Sequence, residues 1–152
     1  MVSVGAIWLA LLGPAWTYVP ASPATPAVTL NFADLAVLNA NNPSGLQAAF
    51  YHWVAWAFAA STTVVVLVAV RAGNRVGGLL CAVTGTVQLV LTLFVMVEAA
   101  PDLSALVAGL PYARLGTVLF LGSMAALGYA GLRRLPTPDA QPRGGVPRPA
   151  AA

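Results

Sequence analysis

The chain has very few groups that carry charge or chemical reactivity. Among its 152 residues it has seven basic and four acidic residues, no lysine, one histidine and one cysteine. Charged residues make up 7% of the chain, against roughly 25% in a soluble globular protein. These shortages exclude a soluble globule, an internal disulfide, and catalytic or metal-binding clusters that need several His, Cys or acidic side chains.

Apolar residues make up most of the chain. They account for 59% of the chain, and the mean hydropathy is +0.83, so we expect the lipid bilayer to surround most of the protein. The arginines flank apolar runs instead of forming a basic patch, which argues against a nucleic-acid partner. Arg, Ala, Gly and Pro are abundant while Lys is absent, a composition typical of GC-rich coding, which favours a bacterial plasma-membrane protein.

Four apolar runs predict four membrane-spanning helices, at about 2–19, 48–70, 76–97 and 113–132. The second run is the clearest, because it carries no formal charge over the roughly 20 residues that a helix needs to cross the bilayer. We therefore predict an all-α membrane protein, with residues 1–132 forming a four-helix bundle. The Arg/Pro/Ala-rich segment 133–152 has no apolar periodicity and is predicted to be a disordered tail.

The first run allows two interpretations, a signal peptide or a spanning helix. The absence of any Lys or Arg before Arg71 favours the helix, since a signal peptide begins with a basic region. Pro14 predicts a kink, because proline lacks the N–H group and crowds the carbonyl group of Ala10. Trp16 and Tyr18 are expected at the membrane interface.

A long loop, residues 20–43, is predicted between the first two helices. Val28, Leu30 and Phe32 alternate with polar residues as in a strand, whereas Asn31 and Asp34 are spaced as at a helix start. The sequence leaves strand and helix open across residues 28–38. After the loop, Ser44 and Gln47 have the spacing of a capping box, which starts the second helix near residue 45.

The arginines orient the predicted bundle. Arg71 and Arg75 bracket the turn between the second and third helices. The tail holds four more arginines and one acidic residue, Asp139. The positive-inside rule places this turn and both termini in the cytoplasm, with the long loop and a short interfacial helix at 101–109 outside.

Small residues recur every fourth position on two of the predicted helices. Such strips allow close helix packing in lipid. The predicted packing residues are Gly77, Cys81 and Gly85 on the third helix and Gly122, Ala126 and Ala130 on the fourth.

Thr84, Gln88 and Thr92 form a polar strip on the third helix. It either joins helices by hydrogen bonds or lines a pathway across the membrane, and the first interpretation is commoner for such residues. In either case the amide of Gln88 needs a partner inside the bundle.

The single histidine, His52, lies about one turn into the second helix. It could bind haem or a quinone or relay protons, as ionisable groups at membrane depth often do. We favour an interfacial histidine that is hydrogen-bonded to Tyr51, Gln47 or the loop, because an ionisable group near the headgroups costs little free energy. Haem held by two histidines would need a second chain.

Three charged residues are expected at the outer rim: Glu98, Asp102 and Arg114. They could bind a cation or a substrate, but a rim ion pair that joins the loop to the third and fourth helices is commoner.

No catalytic set, metal cluster or phosphate-binding loop is evident, and we predict no cofactor. The sequence favours a non-enzymatic accessory or assembly subunit of a plasma-membrane complex, with a protein partner or further copies of itself. The first alternative is a small oligomeric transporter or channel that uses the strip around Gln88. The second is a redox subunit that binds haem or a quinone at His52.

Overall fold

The computed structural model describes residues 1–72, 74–100 and 102–135, so most of the predicted tail, 136–152, lies outside the described residues. The elements in chain order are α1 (Val2–Leu12), β1 (Thr17–Val19), β2 (Val28–Leu30), α2 (Phe32–Asn39), α3 (Gly45–Ala49), a π-helical turn (Phe50–Val54), α4 (Ala55–Arg71), α5 (Asn74–Ala99), α6 (Leu103–Gly109), a 3₁₀ turn (Leu110–Tyr112) and α7 (Leu115–Arg133).

The protein is mostly helical. Within the described ranges, three helices are long and apolar enough to cross a membrane: Gly45–Arg71, Arg75–Ala99 and Leu115–Arg133. The first of these runs through α3, the π-helical turn and α4. α5 packs against both α4 and α7, and α1 packs against α7 and α4. Three such helices indicate a protein that crosses the membrane more than once.

The predicted first span, 2–19, is wrong in its second half. α1 ends at Leu12 and has 11 residues, which rise about 16 Å, roughly half the thickness of the hydrocarbon core. Pro14 cannot donate the N–H that would continue the helix, and residues 17–19 instead form β1. The indole N–H of Trp16 donates to the Ala10 carbonyl oxygen at 2.6 Å and so replaces the donor that Pro14 lacks.

The predicted loop contains both of the structures left open for residues 28–38. β2 pairs antiparallel with β1, with Thr17 opposite Leu30. Asn31 then ends the strand and caps α2, because its side chain accepts from the Asp34 N–H at 3.0 Å and the Asp34 carboxylate accepts from the Asn31 N–H at 2.9 Å. Strand and helix therefore follow each other across this single capping residue.

The predicted capping box at Ser44 is half formed. The Ser44 hydroxyl accepts from the Gln47 N–H at 3.3 Å, and α3 begins at Gly45 as expected. The reciprocal bond differs, because the Ser44 N–H donates to Asn42 Oδ1 at 2.9 Å. The Gln47 side chain accepts from the Asn42 amide at 2.8 Å instead. Asn42 thus accepts the hydrogen bond from the Ser44 N–H that the sequence predicted for the Gln47 side chain.

The bundle has two different ends. We call one the arginine end, where Arg71, Arg75, Arg133 and Arg134 lie. We call the other the cap, formed by residues 13–44 and 102–114. The Arg114 N–H donates to the Trp16 carbonyl oxygen at 2.9 Å, which joins the hairpin to the start of α7.

Aromatic rings fill the bundle beneath the cap. Trp16 is only 2% exposed, and its ring centroid lies 4.9 Å from those of Phe32 and Phe120. The expectation that Trp16 lies at the lipid interface is therefore wrong, because the hairpin turns this side chain inward. Gly116 provides room for this side chain, because a Cβ at position 116 would collide with the Trp16 indole ring.

At the arginine end, glycines bring α5 close to its neighbours. A Cβ at Gly85 would collide with the backbone of Gly128 on α7, and one at Gly77 would lie 2.8 Å from the Ala69 carbonyl oxygen on α4. Cys81 is buried between them. The three residues of the predicted α5 strip thus face two different helices.

The α7 surface that contacts α5 is not the predicted strip. Gly122, Ala126 and Ala130 are exposed, and a Cβ at Gly122 would meet no atom within 4 Å. The close contacts come from Gly128 and Gly131, where a Cβ at Gly131 would lie 2.6 Å from the Gly78 carbonyl oxygen. Both faces of α7 carry small residues, so spacing alone could not distinguish them.

Candidate functional site

Gln88 is the centre of a buried polar network between α4 and α5. Its side chain is 3% exposed. Its amide nitrogen donates to the Ser61 hydroxyl at 2.8 Å and to the Phe58 carbonyl oxygen at 3.2 Å. Its amide oxygen accepts from the Thr62 hydroxyl at 3.0 Å. The amide therefore uses both donor hydrogens and an acceptor position in contacts between two helices.

The other two residues of the predicted strip differ from Gln88. The buried Thr92 hydroxyl donates to the Gln88 carbonyl oxygen at 2.8 Å and lies 3.6 Å from Met124 Sδ on α7. Thr84 is only half-buried. Gln88 and Thr92 thus form a bonded pair inside the bundle, and Thr84 lies apart from them, one turn away.

Sequence reasoning missed the partners of Gln88 on α4. Ser61, Thr62 and Thr63 are consecutive hydroxyl residues in the middle of the apolar run. Ser61 and Thr62 bond to Gln88, while the Thr63 hydroxyl accepts from the Trp8 indole N–H at 3.0 Å. Three adjacent hydroxyls in hydrocarbon need partners on more than one side of a helix, and that signal was available in the sequence.

His52 lies on the exposed side of the π-helical turn Phe50–Val54. The neighbouring Trp53 is also exposed, whereas Phe50 is buried. His52 does not line the cavity of about 550 Å³ beneath the cap. Among the described residues, no three His, Cys, Asp or Glu side chains lie close enough to hold a metal ion. A cofactor on His52 would therefore bind to an outer face of the bundle.

The three predicted rim charges each have a local partner. Glu98 accepts from the Ser44 hydroxyl at 3.1 Å, which joins the end of α5 to the start of α3. The Arg114 guanidinium donates to the Pro111 carbonyl oxygen at 3.2 Å and stacks 4.8 Å from the centre of the Tyr18 ring.

Asp102 caps α6 at the surface of the protein. Its carboxylate accepts from the Ala105 N–H and from the Ser104 hydroxyl, both at 2.7 Å. These two bonds, the Ala105 bond first, lower the pKa of the Asp102 carboxyl below its ordinary value. The three rim residues thus stabilise separate parts of the cap.

A cavity of about 550 Å³ lies beneath the cap, at the cap-side ends of α5 and α7. Its size is within the roughly 300–1,000 Å³ range of small-molecule sites. Apolar residues from α5, α7 and the 3₁₀ turn supply most of its wall, including Val95, Met96, Leu110, Val118 and Leu121.

The polar groups on the wall of this cavity are few. The Thr117 hydroxyl donates to the Trp16 carbonyl oxygen at 2.7 Å, and the Thr17 hydroxyl to the Tyr112 carbonyl oxygen at 3.4 Å. Gln47 and Tyr51 line the cavity on the side of α3 and the π-helical turn. The arrangement suits an apolar ligand that needs few hydrogen bonds.

The comparisons with known proteins give no relative from which a function could be transferred. No protein-family model, curated protein or solved structure matches this chain.

Proposed function

We propose that this protein is a non-enzymatic accessory or assembly subunit of a plasma-membrane complex. The observation that carries the proposal is the apolar surface of the cap. On α2, Val37 is 76% and Leu38 is 64% exposed, although this helix precedes the first candidate span. The paired hairpin residues Val19 and Val28 are exposed as well. An exposed patch of adjacent apolar side chains outside a span is typical of a contact surface.

The use of the polar groups in the bundle supports the same proposal. A conducting pathway needs polar groups that face water, whereas the Gln88 amide is buried and bonded to Ser61, Thr62 and the Phe58 carbonyl group. The position of His52 on an outer face likewise gives little support to a redox centre within one chain. The described polar side chains act mainly in packing and capping.

We further propose a topology in which the arginine end faces the cytoplasm and the cap faces outward. The positive-inside rule supports this orientation, because Arg71, Arg75, Arg133 and Arg134 all lie at one end. In this topology α1, which packs against α4 and α7, would be the fourth member of the bundle, with the inward-turned segment around Trp16 extending it toward the cap. Both termini are then cytoplasmic.

The proposal is tested by the size of the complex extracted from native membranes. We expect the tagged protein in digitonin to migrate well above its 15.5 kDa monomer mass in native electrophoresis, together with a stoichiometric partner. The double substitution Val37→Gln and Leu38→Gln should release the tagged protein from the complex, because each change removes exposed apolar surface from α2. Native mass spectrometry distinguishes a different partner from further copies of this chain.

The matched control is Leu132→Gln, an equally exposed leucine at the arginine end. It should leave the complex intact. Recovery of wild-type protein as a lone monomer, without a co-purifying chain, would contradict the proposed function.

A further inference from the structure

We propose that the cavity beneath the cap holds one acyl chain of a phospholipid from the surrounding leaflet. The cavity lies at the cap-side ends of α5 and α7. At the arginine end, Gly85 and Gly128 keep the two backbones in contact. At the cap end, Val95 on α5 and Leu121 on α7 both line the cavity.

The cavity is continuous with the lipid-facing surface of the bundle. Val118 lines it and is itself largely exposed on α7, while Ala99 forms the edge on α5 and is also exposed. Both residues belong to candidate spans. A hydrocarbon chain can therefore enter sideways from the bilayer without crossing the cap.

The lining selects for hydrocarbon. Apolar cavities accept apolar guests, and most of the wall of this one is apolar. The hydroxyls of Thr17 and Thr117 already donate to backbone carbonyl groups, which leaves this part of the wall with few groups for water. Filling the space with an acyl chain avoids an empty apolar volume in the bundle.

The cap side of the cavity offers donors for an ester group. Among the described residues, the Tyr51 hydroxyl and the Gln47 amide nitrogen have no hydrogen-bond partner, and both residues line the cavity. They lie in the first two turns of the candidate span Gly45–Arg71, so we expect them near the ester groups at the edge of the hydrocarbon core. An ester-linked acyl chain matches these donors, whereas an isoprenoid chain has no carbonyl group at this position.

The test is photolabelling in liposomes of phosphatidylglycerol and phosphatidylethanolamine. The probe is a phosphatidylglycerol that carries a diazirine in one acyl chain, and peptide mass spectrometry locates the label. We expect label on Met96 and Leu121, at about tenfold the level on Phe94, which is exposed to lipid on α5 but lies outside the cavity. A uniform pattern that follows lipid exposure alone would overturn the proposal.

Two matched variants sharpen the test. Ala105→Phe adds a ring to the cavity wall and should lower the label on Met96 and Leu121 about tenfold. Ala126→Phe adds the same ring on the exposed face of α7 and should leave the pattern unchanged. If Ala105→Phe does not fold, the wild-type label pattern decides alone.

A second probe distinguishes the source of the hydrocarbon. A polyprenyl phosphate with a terminal diazirine should label the cavity less than the phospholipid probe does. Stronger labelling of Met96 and Leu121 by the polyprenyl probe would overturn the acyl-chain assignment.

Discussion

The arginine end and the cap end of the same helix pair are held together in different ways. At the arginine end, α5 and α7 meet through the backbones of Gly85, Gly128 and Gly131. At the cap end they share a buried cluster rich in aromatic rings and both line the 550 Å³ cavity. Close packing in one half of a helix pair thus coexists with an open space in the other.

The difference follows from the side chains at each end. Glycines have no Cβ, so the backbones of α5 and α7 can touch where Gly85 meets Gly128. Beneath the cap the two helices carry larger side chains, and residues of β1, α6 and the 3₁₀ turn complete the wall of the cavity. Trp16 fills part of the space beneath the cap.

The largest effect is expected at the glycine contact. Gly85→Leu should destabilise the protein by about 3 kcal/mol or more, because the new side chain would meet α7 backbone that cannot move aside locally. SDS-induced unfolding of the purified protein, followed by circular dichroism, measures the change.

The matched control for that change is Gly122→Leu. Gly122 lies on the exposed face of α7, where an added Cβ meets nothing within 4 Å, so we expect a change within about 1 kcal/mol. Equal destabilisation by both substitutions would show that the arginine end is not held by glycine contacts.

The next effect is expected under the cap. Trp16→Phe should cost about 2 kcal/mol, because it leaves the Ala10 carbonyl oxygen, already orphaned by Pro14, without its indole donor. Trp53→Phe is the control, since Trp53 is 59% exposed, and should change stability by about 0.5 kcal/mol or less. A negligible effect of Trp16→Phe in the same unfolding assay would refute the capping role of Trp16.

A smaller effect is expected midway between the two ends. Gln88→Leu should destabilise the protein by about 1–2 kcal/mol, because it removes the bonds to Ser61 and Thr62. Thr84→Val, at a half-buried site one turn away, should cost less. Proton and potassium leakage from proteoliposomes should be the same for wild type and Gln88→Leu, whereas loss of a wild-type flux would favour the channel alternative.

The smallest effect is expected at Asp102, on the surface of the cap. Its pKa is lowered in the folded state, so its contribution to stability is complete at neutral pH and is lost as the pH falls through that lowered pKa. Asp102→Ala should lower Tm slightly at neutral pH, and the gap to wild type should shrink as the pH falls below the ordinary Asp pKa of about 3.9. A gap that widens on acidification would contradict the capping geometry.

Much of the architecture could be predicted from the sequence, because it depends on local properties. The apolar runs after residue 45 gave three candidate spans, and Ser44 marked the start of the first of them. The need of Gln88 for a partner also followed directly, since an amide cannot remain unpaired in hydrocarbon.

Other features depended on contacts between distant segments. The position of Trp16 required the hairpin and the gap above Gly116, a hundred residues further along the chain. The choice between the two small-residue faces of α7 required knowledge of where α5 lies. The cavity could not be foreseen, because no single segment contains its wall.

By itself the sequence determined which segments are apolar enough for lipid, where the helix that follows Ser44 begins, and which end collects the arginines. Those properties reside in consecutive residues, whose transfer free energies and capping bonds are local. Only the tertiary structure decided that α1 stops halfway, that Trp16 replaces the missing donor of Pro14, and that several segments enclose a cavity beneath the cap. Each of these depends on which side chains from separate segments compete for the same space.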